Sequence, residues 1–125
     1  MHFDRTYEEK HLSLASLNTK ALYTRLKKAV LNIADDIEPY TTEKKYIGFN
    51  VSGRRIAIFQ IHKRHVYIWL HLKPRELTGQ DDIARKYETH CSIKMTDEGN
   101  LSDVINLIKQ SNIKNKEHTR KARRV

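Results

Sequence analysis

The amino-acid sequence predicts an α+β domain: an antiparallel sheet of three to four strands with its helices packed on one face, in the order α-β-β-β-α-β-α. Three observations carry this reading. Apolar residues recur at three- and four-residue spacing over 20–37 and again over 101–112, which places a stripe on one face of each of two helices. Between them lie three runs rich in β-branched and aromatic residues, 44–51, 55–62 and 65–72. The spacers Ser52-Gly53 and Lys63-Arg64 are too short for the crossover that parallel pairing needs, so the runs form a meander of consecutive hairpins.

Before the first helix, TYEEKHLSLAS carries only a short apolar group, Leu12, Leu14 and Leu17, and the pair Asn18-Thr19 is placed to cap the helix that follows. That helix presents Leu22, Leu26, Ala29, Val30, Ile33 and Ile37 on one side. Glu38-Pro39 ends it, because proline has no N–H and biases its predecessor away from helix. In the meander, period-two alternation turns Ile47, Phe49, Val51, Ala57, Phe59, Ile61, Val66, Ile68 and Leu70 towards the helices. The opposite face receives Tyr46, Gly48, Asn50, Ile56, Ile58, Gln60, His62, Tyr67, Trp69 and His71. A short helix over 83–87, capped by Asp81 or Asp82, leads to a fourth strand over 89–95. There Cys91 points inward as a small apolar residue rather than a nucleophile. The last helix uses Leu101, Val104, Ile105, Leu107, Ile108 and Ile113, with Ser102 and Asp103 suited to its first turn.

Composition narrows the class of function. With 125 residues, 38% of them hydrophobic and 31% charged, the chain has material for one core, expected over 1–113, and disorder throughout is excluded. No apolar run approaches the roughly 18 residues of a membrane span, and the polar opening MHFDRTYEEKH lacks a signal-peptide core, so a cytoplasmic protein is expected. The single cysteine, Cys91, excludes an internal disulfide and a thiolate zinc site. A net charge of +9 points to an anionic partner, yet residues 114–125, KNKEHTRKARRV, hold six Lys or Arg against Glu117, and so +5 of the +9. This end reads as a basic, flexible tail, with Lys121, Arg123 and Arg124 as a supplementary phosphate-contacting arm.

The runs TYEEKHLSLASLNTKALYTRLKKAVLNIADDIE, KKYIGFNV, HKRHVYIWLHL and LSDVINLIKQS, in this order, resemble a small domain of unknown function often labelled "predicted transport protein". The matching features are Glu8, Glu9, His11 and Leu12 before the first helix, Tyr46-Ile47-Gly48 at the start of the sheet, and Lys63-Arg64 leading into the strand with Trp69. The resemblance covers most of residues 6–113. It implies a stand-alone protein or the C-terminal module of larger proteins that resemble DNA-targeting nucleases, including type IV restriction-like proteins. Where such relatives carry a glycine-rich turn before the fourth strand, this chain passes from IARKY directly to ETHCSIKM. The transport label has no counterpart in any membrane-spanning stretch.

Glu43-Lys44-Lys45 with Asp35 or Asp36 upstream spells the carboxylates and lysine of a metal-dependent nuclease loosely, but at a helix end and a sheet margin rather than on adjoining strands. His62, His65, His71 and His90 are spaced against convergence on a metal, so neither metal nor cofactor is expected. The sharpest pattern is the outer sheet face. Tyr67 and Trp69 stand together with Ile56 and Ile58, rimmed by Arg54, Arg55, Lys63 and Arg64, the combination of stacking surface and cations that holds DNA or RNA. The reading is therefore a non-catalytic nucleic-acid-binding module, accessory to a nuclease or defence system. The alternative is a protein-interaction or homodimerisation module that buries Ile56, Ile58, Tyr67 and Trp69 against a nuclease-like partner or a second copy; a small metal-dependent nuclease is the third.

Overall fold

The computed structural model describes residues 3–70, 72, 84–86 and 90–123, with the backbone alone for 86 and 115–123. Asp4 opens the fold: its Oδ1 accepts from the N–H groups of Thr6 and Tyr7 and caps α1 (Arg5–Leu12). Ser16 then caps α2 (Leu17–Leu31), accepting from the Thr19 N–H at 3.2 Å, two residues before the expected Asn18-Thr19 cap. α1 itself was not anticipated, because it buries no residue and has no stripe to read. Polar ties hold it instead. The Asp4 N–H donates to Thr41 Oγ1 at 2.8 Å, Lys10 Nζ meets Glu43 at 2.7 Å, and His11 Nε2 lies 2.6 Å from the Thr42 carbonyl oxygen.

α2 ends six residues before the apolar spacing does, where the Asn32 N–H bonds back to the Lys28 carbonyl. Ile33 and Ala34 still pack on the core and Ile37 is buried, so the turn itself fills the space that a longer helix was expected to fill. β1 (Glu38–Thr41) follows, then β2 (Ile47–Val51), β3 (Arg54–Ile61), β4 (Val66–Leu70), the two-residue β5 (Arg85–Lys86), β6 (Cys91–Met95) and α3 (Leu101–Arg123). All pairings are antiparallel, in the order β1-β2-β3-β4-β6-β5. The fold class is thus α+β as expected, with five strands of four or more residues and a minimal sixth in place of three to four. β1 is a strand where proline was read as a helix stop; as an edge strand it tolerates the missing donor of Pro39. Arg85 and Lys86 pair with β6 where a short helix was expected, while the remainder of that expectation, with His71 and the segment 73–83, lies outside the described residues.

The core lies between the inner sheet face and the helices. Leu22, Tyr23, Leu26 and Val30 of α2 and Val104, Leu107 and Ile108 of α3 meet Ile47, Phe49, Phe59, Ile68 and Ile93 of the sheet. Tyr23 and Phe59 pack edge to face with centroids 6.3 Å apart, and Phe59 leans on Phe49 at 5.0 Å. Cys91 is buried, its thiol 3.2 Å from the Leu72 carbonyl oxygen, as an inward apolar residue should be. α3 continues to Arg123 instead of stopping near 112, so the basic segment from Lys114 begins as helix. Ile113 is exposed rather than part of the inner stripe.

One irregularity decides what the outer face displays. The β2–β3 register shifts between Phe49, opposite Ala57, and Asn50, opposite Arg55, which leaves Ile56 as an extra residue in β3. Ile56 and Ala57 are therefore both fully buried, and Arg55 is turned to the outer face. Strict alternation predicts Ile56 on the outer face, whereas the structure buries it. The bulge puts the isoleucine in the core and the guanidinium outside, and Ser111 Oγ donates to the Ile56 carbonyl oxygen at 2.7 Å from α3. Ahead of the bulge, Ser52 and Gly53 have φ of 52° and 76°, the positive pair that a two-residue hairpin turn requires.

Candidate functional site

Residues opposite one another in an antiparallel ladder share a face, so the register defines the outer surface. Across the sheet run Tyr40, Gly48, Ile58, Trp69, Ser92 and Arg85 in one row, and Gln60, Tyr67 and Lys94 in the next. Glu38 and Asn50 continue this face at the β1 margin beside Arg55. Gly48 is needed where it stands: a Cβ there would lie 2.2 Å from the Tyr40 ring, which crosses directly over it.

A groove of about 450 Å³ opens on this face, lined chiefly by Tyr46, Arg55, Ile58, Gln60, Trp69 and His90. Arg55 is held by aromatic rings, its guanidinium carbon 5.1 Å from the Tyr40 centroid and 4.9 Å from that of Tyr46, while the two tyrosines meet edge to face. Trp69 Nε1 donates to Gln60 Oε1 at 2.8 Å, and the His90 ring lies 5.4 Å from the indole. The lining is apolar and aromatic with a few fixed polar groups, the usual make-up of a binding groove. Tyr40 is 2% exposed; burial raises its pKa, partly opposed by Arg55.

A second aromatic group sits at the other end of the face. His62 and His65 stack with centroids 4.6 Å apart, and each meets the Tyr67 ring edge to face. Burial, with His62 and Lys94 nearby, holds the His65 pKa below its ordinary value. The expected site residues are therefore distributed. Arg55 and Trp69 share the groove, Tyr67 is one strand position away with the histidines, and Lys63 and Arg64 are exposed in the turn beyond. The Lys63 carbonyl accepts from the Ser16 N–H at 2.8 Å and Thr19 Oγ1 at 2.9 Å, which ties that turn to the start of α2. Arg54 is opposite the inward Val51 and so belongs to the helix side of the hairpin, away from the groove. Ile58 lines the groove, whereas Ile56 is in the core. Lys121 and Arg123 fall on the final turns of α3, and Arg124 lies outside the described residues.

Sequence reasoning placed Tyr46 on this face but missed Tyr40, which packs on Arg55, and His90 beside Trp69, since they come from β1 and the approach to β6. The carboxylates considered for a nuclease are elsewhere. Glu43 is engaged by Lys10, Asp35 and Asp36 are exposed in the turn after α2, and among the described residues no three His, Cys, Asp or Glu side chains form a metal-binding group. A separate groove of about 410 Å³ involves Lys10, His11, Leu14, Ile61, His62 and Lys63. Beside it, Leu14 and Leu17 are 84% and 82% exposed.

Fold and groove together define a small α+β domain with its helices on one sheet face and an aromatic, cation-bearing groove on the other. Residues 8–112 match the family described as "Domain of unknown function (DUF5655)", and the chain belongs to that family. An uncharacterized protein of Haemophilus influenzae is 33% identical over 82 residues, covering 65% of this chain and 26% of that protein. The chain thus spans about a quarter of that relative's length. No solved structure matches it significantly. Neither a transport role nor nuclease company is part of these matches, and no helix among the described residues is long and apolar enough to cross a membrane.

Proposed function

We propose that the chain is a non-catalytic nucleic-acid-binding module that holds a single strand on its outer sheet face, accessory to a nuclease or defence system. The observation that carries the proposal is the groove in which Trp69 and Tyr46 stand beside Arg55, with Tyr67 and Lys94 next along the same face. Stacked bases need flat aromatic surface, and the phosphates linking them need cations within a few ångströms; both are present on one face. Among the described residues, Glu38, at the β1 margin, is the acidic residue that the register places on this face. The nuclease context rests on the resemblance alone.

Trp69 is the one tryptophan of the chain, so its fluorescence reports on this groove. Titration of labelled single-stranded and duplex DNA and RNA at several salt concentrations tests the reading. Single strands should quench Trp69, and Trp69→Ala should weaken binding by about 1–3 kcal/mol, the contribution of one stacked base. Binding without quenching, or no binding at low salt, would overturn it.

A second reading, protein interaction, is favoured by Leu14 and Leu17, two nearly fully exposed leucines flanking the α1–α2 junction beside a groove. It predicts association in sedimentation that Leu14→Asp with Leu17→Asp abolishes.

A further inference from the structure

We infer that the turn end of the β3–β4 hairpin is a phosphate site, in which His62 and His65 grip the nucleic-acid backbone together with Lys63, Arg64 and Lys94. The inference rests on the nucleic-acid reading and adds a contact outside the groove of Arg55 and Trp69. Its basis is a pair of imidazole rings held across a turn. The His62 N–H donates to the His65 carbonyl oxygen at 2.9 Å, and the two rings stack with centroids 4.6 Å apart and planes 17° from parallel. Tyr67 braces both edge to face, at 5.3 and 5.0 Å. A histidine binds a metal ion within its ring plane, and two nearly parallel planes do not meet at one ion. Protonated, the same rings have N–H groups to donate side by side to the several oxygens of a phosphate.

The charges around the pair are of one sign. Lys63 and Arg64 are exposed in the turn between the two histidines, Lys94 comes from β6 opposite Tyr67, and Lys10 and His11 of α1 line a groove together with His62 and Lys63. Among the described residues no carboxylate lines that groove, and Glu43 is held by Lys10 at 2.7 Å. A cluster built this way lacks its counter-charge. Two protonated rings would face one another beside lysine and arginine, and burial, with His62 and Lys94 nearby, already holds the His65 pKa below its ordinary value. A phosphate laid on the turn supplies the missing negative charge, favours the protonated rings and makes them charge-assisted donors. Binding therefore takes up protons, and by linkage affinity rises as pH falls through the range in which histidines titrate.

Oligo(dT) is the probe, because neither thymine nor the phosphodiester titrates between pH 7.5 and pH 5.5. Its affinity for the full chain is read by anisotropy of a pH-insensitive dye at constant ionic strength, with circular dichroism following the fold at each pH. The expected result is binding tighter at pH 5.5 than at pH 7.5 by about tenfold or more, the scale of one hydrogen bond to a charged group. His62→Gln with His65→Gln should flatten the profile. His62→Lys, which places a permanent cation at an exposed position, should raise affinity at pH 7.5 and reduce the dependence on pH. Tightening that persists in the double variant would assign the protons to other histidines and overturn the site; if that variant does not fold, an unchanged profile in His62→Lys overturns it equally. Binding with a flat profile in the parent chain would also overturn the site and leave the nucleic-acid reading standing. Absence of binding at every pH would sink both proposals.

Discussion

Gly48 shows how much of the outer face hangs on one missing methyl group. The Tyr40 ring occupies the space that a Cβ would take, and Tyr40 in turn supports Arg55. Gly48→Ala is expected to destabilise the fold by about 2 kcal/mol, as overpacking does, with a lower urea midpoint and weaker oligonucleotide binding. At the opposite end of the face, His65 gives a pH signature. Its folded pKa lies below the ordinary value of 6.5, chiefly through desolvation, so the unfolded state binds the proton more readily. Stability is then fully present above that ordinary value and falls as pH drops through it towards the folded pKa. Thermal melts at pH 7.5 and pH 5 should differ less for His65→Gln than for the parent chain. The pairing of Tyr67 with Trp69 on one face was legible in the sequence, because a two-residue period needs no knowledge of the partner strand. Arg55 was read as a rim cation from composition alone: the bulge that turns it outward, opposite Asn50, has no local pattern in RRIAIFQI to announce it.

At the level of elements, the two ends of the chain close the same core by different means. α1 is fastened through Glu8, which accepts from the buried Tyr23 hydroxyl and, at 2.7 Å, from Lys27 Nζ. Burial and the adjacent carboxylate push the Tyr23 pKa well above its ordinary value, so the phenol remains a donor at all working pH values. Glu8→Ala leaves that hydroxyl without an acceptor and should cost about 2 kcal/mol in chemical denaturation. Glu9→Ala, which removes only an exposed pair with Arg5, should cost less than about 0.5 kcal/mol. The adjacent acids Glu8 and Glu9 thus differ sharply in structural weight. From the other end, α3 satisfies the carbonyl of the bulge through Ser111, and Ser111→Ala is expected to lower stability by about 1–2 kcal/mol in the same assay. The two long helices and the meander could be read from periodicity. α1 could not, because its hold on the sheet is polar and comes from residues more than thirty positions away.

For the molecule as a whole, the groove and the basic end of α3 lie on different elements, so their contributions to the proposed nucleic-acid binding can be tested apart. Neutralising Lys121, Arg123 and Arg124 to Gln should reduce the salt dependence of binding by up to about two units of log K per log salt, while Trp69 quenching survives. Arg55→Gln should diminish the quenching itself. The sheet's margins add a constraint on how such a molecule meets others. One margin is the four-residue β1, interrupted by Pro39, and the other is the two-residue β5. At the β1 margin a visiting strand meets a short strand that lacks the N–H of Pro39 and offers few groups with which to extend the ladder. Growth of the sheet from copy to copy, the route by which exposed edges seed fibrils, is thereby hindered at the β1 margin, so that a chain rich in β-branched strands has one edge guarded by its own proline.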